Sequence, residues 1–123
     1  MIDSLEKNEI FVFGSNKSGH HAGGAAKQAY ESFGAEWGVG SGRTGQCYAI
    51  DTMSGIFELT SNLEDFLIYA KRHPELTFLL TKIGCGIAGY EEREIKELLD
   101  IAVHRVNHFS GEVPGNVIKP EDW

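Results

Sequence analysis

With 123 residues, the chain has room for one hydrophobic core and not two, so residues 1–123 are expected to form a single domain. Its 41% hydrophobic and 24% charged residues are an ordinary globular mix, and 11 basic against 18 acidic residues leave a net charge of −7. That sign argues against nucleic-acid and membrane-surface partners, which draw on basic patches, while leaving room for a small anion held by backbone N–H groups.

The first apolar run, Glu9 to Phe13, reads as a short buried strand rich in β-branched and aromatic residues. It stops at Gly14-Ser15-Asn16 and passes through Gly19, His20, His21, Gly23 and Gly24 into an alanine-rich helix pattern from about Gly23 to Phe33. Ala26, Ala29, Tyr30 and Phe33 fall on one face of that helix, and Gly34 ends it. A strand feeding a glycine-rich loop that opens a helix is how α/β proteins build anion sites, because unpaired N–H groups at the helix start point toward negative charge.

Five glycines between Gly34 and Gly45 predict a loop, with Trp37 and Arg43 as its functional candidates. Gln46 to Ile50 is a second strand, ending at Asp51-Thr52. Ser61-Asn62-Leu63-Glu64 has the form of a capping box, predicting a helix start there, with Leu63, Phe66, Leu67 and Ala70 inward and an end before His73-Pro74. Leu76 to Thr81 is apolar at nearly every position, which predicts a central strand covered on both faces.

A second glycine-rich loop follows, Ile83-Gly84-Cys85-Gly86-Ile87-Ala88-Gly89-Tyr90. The third helix, about Glu91 to Val106, buries Ile95, Leu98, Leu99, Ala102 and Val106 behind an acidic first turn. A short strand near Asn116 to Ile118 ends the pattern before Pro120. Alternating strands and helices imply a three-layer α/β/α fold with a mostly parallel sheet, whose ligands sit at the carboxyl ends of the strands. Both glycine-rich loops fall there.

Several residues in these loops carry alternative readings. The Asn16 amide can bind a sugar hydroxyl or orient a water, or it can close an Asx-turn that shapes the loop. His20 or His21 can act as general acid or base near neutral pH, with His21, nearer the Gly23-Gly24 pair, preferred. Cys85 can be a nucleophile at a helix start or a small apolar filler, and the backbone of its loop is the better cradle for a diphosphate. Gly84-x-Gly86-x-x-Gly89 matches a dinucleotide fingerprint literally, but no acidic strand end follows about 20 residues on.

Asp100, His104 and His108, four residues apart on a helix face, read as a solvated face rather than a metal site. Cys47 and Cys85 lack companions at metal-ligand spacing and form no disulfide framework. No metal and no cofactor are expected. The amino-terminal residues are not a signal-peptide pattern and no apolar run nears the ~20 residues that cross a bilayer, so a cytoplasmic protein is expected.

Phe13-Gly14-Ser15-Asn16, Gly23-Gly24-Ala25-Ala26, Thr44 to Ile50, Ile83 to Tyr90 and Pro120-Glu121-Asp122-Trp123 together resemble the macrodomain superfamily of ADP-ribose-binding modules. The resemblance is nearest to small bacterial and phage macrodomain-like proteins of unassigned function. It implies that Asn16 contacts the distal ribose, and that Gly23-Gly24-Ala25 stands for the glycine loop beside that ribose. It also implies that Gly86-Ile87-Ala88-Gly89 wraps the diphosphate and that Tyr90 covers the ligand. The Gly-Asp-Ile turn that reads adenine in that family has no counterpart here, and only one asparagine stands in the place of a pair. The resemblance therefore implies binding of ADP-ribose or a smaller ribose phosphate at Gly14, Ser15, Asn16, Gly23, Gly24, Ala25 and Gly84 through Tyr90. It extends to hydrolysis at the distal ribose through Asn16 and His21, with a non-catalytic reader as the alternative.

Overall fold

The apolar run that begins at Ile10 becomes the middle strand of the sheet. The computed structural model describes residues 2–107 and 111–123. The elements run β1 (Glu9–Ser15), α1 (Gly24–Ser32), β2 (Gly42–Thr44), β3 (Cys47–Asp51), α2 (Ile56–Arg72), β4 (Thr77–Leu80), α3 (Glu92–Val106) and β5 (Val117–Ile118). The strands form one mixed sheet in the order β2-β3-β1-β4-β5. β1 pairs parallel with both β3 and β4, β4 pairs parallel with β5, and only β2 runs antiparallel.

Successive residues of a strand face opposite ways, and the two sides of β1 feed different clusters. Ile10 and Val12 pack with Tyr48, Ile50 and the inward faces of α2 and α3, including Leu63, Phe66, Ile95 and Leu99. Phe11 and Phe13 join Cys47, Ala49 and the Ala26, Ala29 and Phe33 side of α1. The Phe11 and Phe33 rings lie 5.0 Å apart. Thus α1 covers one face of the sheet while α2 and α3 cover the other.

Five expectations are corrected. The Ser61 capping box is not a helix start: α2 begins five residues earlier, at Ile56, after Gly55 with φ of 97°. The turn before it is tied by Asp51, whose carboxylate accepts from Met53 N at 3.0 Å and Ser54 Oγ at 2.5 Å, and this frees the helix to start there. The strands covered on both faces are β1 and β3, whereas Thr77 and Leu79 of β4 are only half-buried. The glycine-dense loop contains β2, which its pairing with β3 supports despite poor strand propensity. Tyr30 of α1 is exposed rather than inward, with its ring against Trp37 at 5.3 Å. In α3, Leu98 and Val106 are half-buried while Val103 is buried beside Ile95, Leu99 and Ala102.

Both cysteines are free thiols. Burial pushes the Cys47 thiol from its ordinary 9.0 up to about 12, partly offset by a hydrogen bond from the Ala35 backbone. Burial, with the Asp65 carboxylate and the Tyr69 phenol adding to it, pushes the Tyr48 phenol from 10.0 up to about 12. Both groups ionise more readily in the unfolded chain, so their stabilisation is complete below pH 9 and is lost as pH rises toward 12. The urea midpoint is therefore expected to hold steady up to about pH 9 and fall above it. Cys47→Ala should remove the earlier part of that decline and leave the part due to Tyr48. A wild-type midpoint that stays flat to pH 11 would contradict this.

Candidate functional site

The direction of the helices decides where the sheet opens. After β1 the chain leaves toward the face that carries α1, and after β4 it leaves toward the face that carries α3. The loops following these two neighbouring strands therefore part, and a crevice forms between them at the carboxyl ends. A cleft of about 630 Å³ occupies that crevice, within the size range of small-molecule sites. Its walls come from Gly14 to Asn16 and His20, the start of α1 from Ala22 to Ala26, Thr52-Met53 after β3, and Thr81 to Gly84 with Gly86 to Ala88 after β4.

The strand ends are locked from within. Thr81 Oγ1 donates to Val12 O at 2.7 Å and Thr52 Oγ1 donates to Ser15 O at 3.3 Å, so both threonines brace β1 from the flanking strands. Gly14 lies where the two glycine-rich loops meet: a Cβ there would sit 3.4 Å from Gly84 N and from the Thr52 side chain, in close but ordinary contact.

Backbone donors line the cleft on two sides. Gly23 caps α1 without a side chain, and the first helical bond runs from Lys27 N to Gly23 O at 3.2 Å. Gly24, Ala25 and Ala26 thus present N–H groups with no acceptor among the described residues. In the second loop, Tyr90 N donates to Gly84 O at 2.9 Å and Gly89 N to Gly86 O at 3.0 Å. These bonds close the loop and leave the Gly86, Ile87 and Ala88 N–H groups without an acceptor among the described residues. Two sets of such donors, with no carboxylate among the described lining residues, suit an anion.

The ionisable groups on the wall are His20 and Lys82. Lys82 Nζ lies 3.2 Å from Glu92 Oε1, and the Trp123 indole N–H donates to the same oxygen at 2.9 Å. Together the Trp123 donor and Lys82 hold the Glu92 carboxyl below the usual carboxylate range.

The predicted site residues divide into two groups. Gly14, Ser15, Asn16, Gly23, Gly24, Ala25, Gly84, Gly86, Ile87 and Ala88 line the cleft together. His21, Cys85, Gly89 and Tyr90 do not. The Asn16 amide is engaged in its own loop: Oδ1 accepts from His20 N at 2.9 Å and Ser18 Oγ at 3.0 Å, and Nδ2 donates to His20 O at 3.0 Å. That is the turn-shaping arrangement, carried out at the edge of the cleft.

His21 is turned inward and is 1% exposed. Its Nε2 lies 3.0 Å from the Glu36 carbonyl oxygen, which only accepts, so Nε2 carries a hydrogen. Nδ1 has no partner among the described residues, and the ring meets Phe13 edge-on at 5.2 Å. His20 takes the cleft position instead. The Cys85 thiol points to Ile83 O at 3.5 Å, and burial, with the Glu92 carboxylate nearby, raises its pKa, which disfavours a thiolate. Tyr90 packs against the core beneath Gly84.

Thr52, Met53, Thr81 and Lys82 were missed from sequence. All four stand just past a strand end, the position that singled out Asn16, and that signal applied equally to β3 and β4. Elsewhere, Arg43 bonds the Tyr69 hydroxyl at 3.2 Å and takes no part in the cleft wall. The His104 ring is bonded to Asp100 O at 2.8 Å, and His108 lies outside the described residues. No helix among the described residues is long and apolar enough to cross a membrane. Comparison with protein-family models, curated proteins and solved structures gave no match.

Proposed function

We propose that this is a macrodomain-like protein of three-layer α/β/α design that binds ADP-ribose or a related ribose phosphate in the cleft between its two glycine-rich loops. One observation carries the reading. The start of α1 and Gly86 to Ala88, whose N–H groups have no acceptor among the described residues, line a single cleft whose described walls hold no carboxylate. In this reading the ribose lies against Ser15, Asn16, Gly23 and Gly24, and phosphate lies against the Gly84 to Ala88 backbone with Lys82 beside it. A cytoplasmic setting, where such ligands are found, accords with the two free thiols.

The reader form of this function is favoured over the hydrolytic one by the wall itself. Hydrolysis at the ribose through Asn16 and His21 requires Asn16 to exchange its bonds to Ser18 and His20, and His21 to leave the Phe13 pocket. His20 is the histidine placed to hold a proton near the ligand, and no carboxylate stands by to form an acid–base pair with it.

Titration calorimetry with ADP-ribose and with ribose 5-phosphate is expected to show saturable binding in the micromolar to millimolar range, about −8 to −4 kcal/mol. Gly86→Pro, which deletes one unpartnered N–H on the cleft wall, should weaken it. Product analysis of ADP-ribose carrying a terminal phosphate ester is expected to show no turnover. Steady release of phosphate would establish the hydrolase, and no heat with either ligand at millimolar concentration would overturn the binding reading.

A further inference from the structure

Beside the cleft, on the side of α1, stands an aromatic cluster that ribose and phosphate do not use. The Trp37 ring lies 5.2 Å from His20, 5.3 Å from Tyr30 and 6.1 Å from His21. Three of the four rings are exposed, with 48% of Trp37 and 45% of Tyr30 reaching solvent. His20 belongs to both features: it lines the cleft and it lies tilted against the indole at 32°. The cluster is thus continuous with the Asn16–Gly23 end of the cleft, away from the phosphate loop.

The backbone on either side of Trp37 is held in place, and the indole rests against the His20, His21 and Tyr30 rings. On one side of Trp37, Glu36 N donates to Thr44 Oγ1 at 3.0 Å and Glu36 O accepts from the buried His21 ring at 3.0 Å. On the other side, Gly38 N donates to Gly19 O at 3.0 Å. Gly19 has a φ of +68°, and a Cβ there would overlap the Gly38 and Val39 backbone, so this segment lies directly on the first loop. A half-exposed indole on a fixed backbone, packed among other rings beside an anion cleft, suits a flat π-system, because part of the ordering is already in place.

We infer that Trp37, with His20 and Tyr30, is a stacking platform for a heteroaromatic base joined to the ribose that lies against Asn16 and Gly23. This rests on the reading of the cleft as a ribose phosphate site and narrows the ligand class to nucleoside 5′-phosphates. Ribose 5-phosphate would fill the cleft alone, while a base on the same ribose would extend from C1 onto the indole. Stacking of this kind tolerates any base, because each presents a π-face.

The test compares adenosine 5′-monophosphate with ribose 5-phosphate on the whole chain by calorimetry, with tryptophan fluorescence as a second readout. Wild type is expected to bind the nucleotide about tenfold more tightly than the sugar phosphate, with quenching of the indole by the nucleotide only. Trp37→Ala should bring nucleotide affinity down to that of ribose 5-phosphate and leave the latter unchanged, and Trp37→Phe should keep most of the difference. Equal wild-type affinities, or a Trp37→Ala loss shared by both ligands, would overturn the platform while leaving the cleft reading intact. If wild type binds neither ligand, both readings fail.

Discussion

Replacing Gly40 by alanine is expected to destabilise the protein by about 3 kcal/mol, a large effect for a single methyl group on a loop. The cause is contact, not conformation. A Cβ at Gly40 would overlap the Asn16 carbonyl oxygen and lie 2.9 Å from Lys17 O, both of them backbone atoms fixed by the turn that follows β1. Relief requires the 37–40 segment to lift away from the 16–20 loop, which would also release the Gly38 N to Gly19 O bond. Gly38 provides the contrast. Its φ of 92° disfavours a side chain, but open space surrounds it, so Gly38→Ala should cost only about 1–2 kcal/mol. Urea unfolding separates the two, and near-equal losses would show that the loops do not bear on each other. Because the same separation would move His20 and Trp37, Gly40→Ala should also weaken cleft binding where Gly38→Ala does so less.

How much of this was legible in the sequence depends on the range over which each interaction acts. β1 and the loop after it were readable because an unbroken apolar run ending at Gly14-Ser15-Asn16 is a local signal. So was the inward stripe of α2 from Leu63 to Ala70. The start of α2 was misread because Ser61-Asn62-Leu63-Glu64 satisfies the local capping pattern, while the actual start depends on how the Asp51 carboxylate folds the preceding turn. Whether β4 or β1 would be central could not follow from hydrophobicity, since both are apolar and strand order is set by pairing. The two histidines posed the same difficulty. Adjacent residues must diverge, but it is the Phe13 pocket and the Glu36 carbonyl, distant in sequence, that draw His21 inward and leave His20 at the cleft.

The remaining large effect concerns charge. Lys82→Ala is expected to weaken binding of ribose 5-phosphate about tenfold, or about 1.4 kcal/mol, and to flatten its dependence on salt. Lys82 is the one lysine on the described cleft wall, and an ammonium–phosphate hydrogen bond is charge-assisted. In the free protein that ammonium is held by Glu92, whose carboxylate is in turn fixed by the Trp123 indole. A phosphate must therefore compete with Glu92 for Lys82. It follows that Glu92→Gln should strengthen binding severalfold, opposite in sign to Lys82→Ala, and that Lys82→Ala/Glu92→Gln should bind no better than Lys82→Ala alone. The pH dependence follows from the depressed Glu92 pKa. Its carboxylate remains ionised through neutral pH and takes up a proton only as pH falls below the ordinary value of 4.5, where the pairing with Lys82 is lost. The advantage of Glu92→Gln should accordingly be full at pH 7 and narrow in acid, as the wild-type side chain becomes neutral too. Calorimetry of the four proteins at pH 7 and at stepwise lower pH tests this. An unchanged affinity in Glu92→Gln would mean that Lys82 does not reach the phosphate, leaving the backbone N–H groups as its binding site.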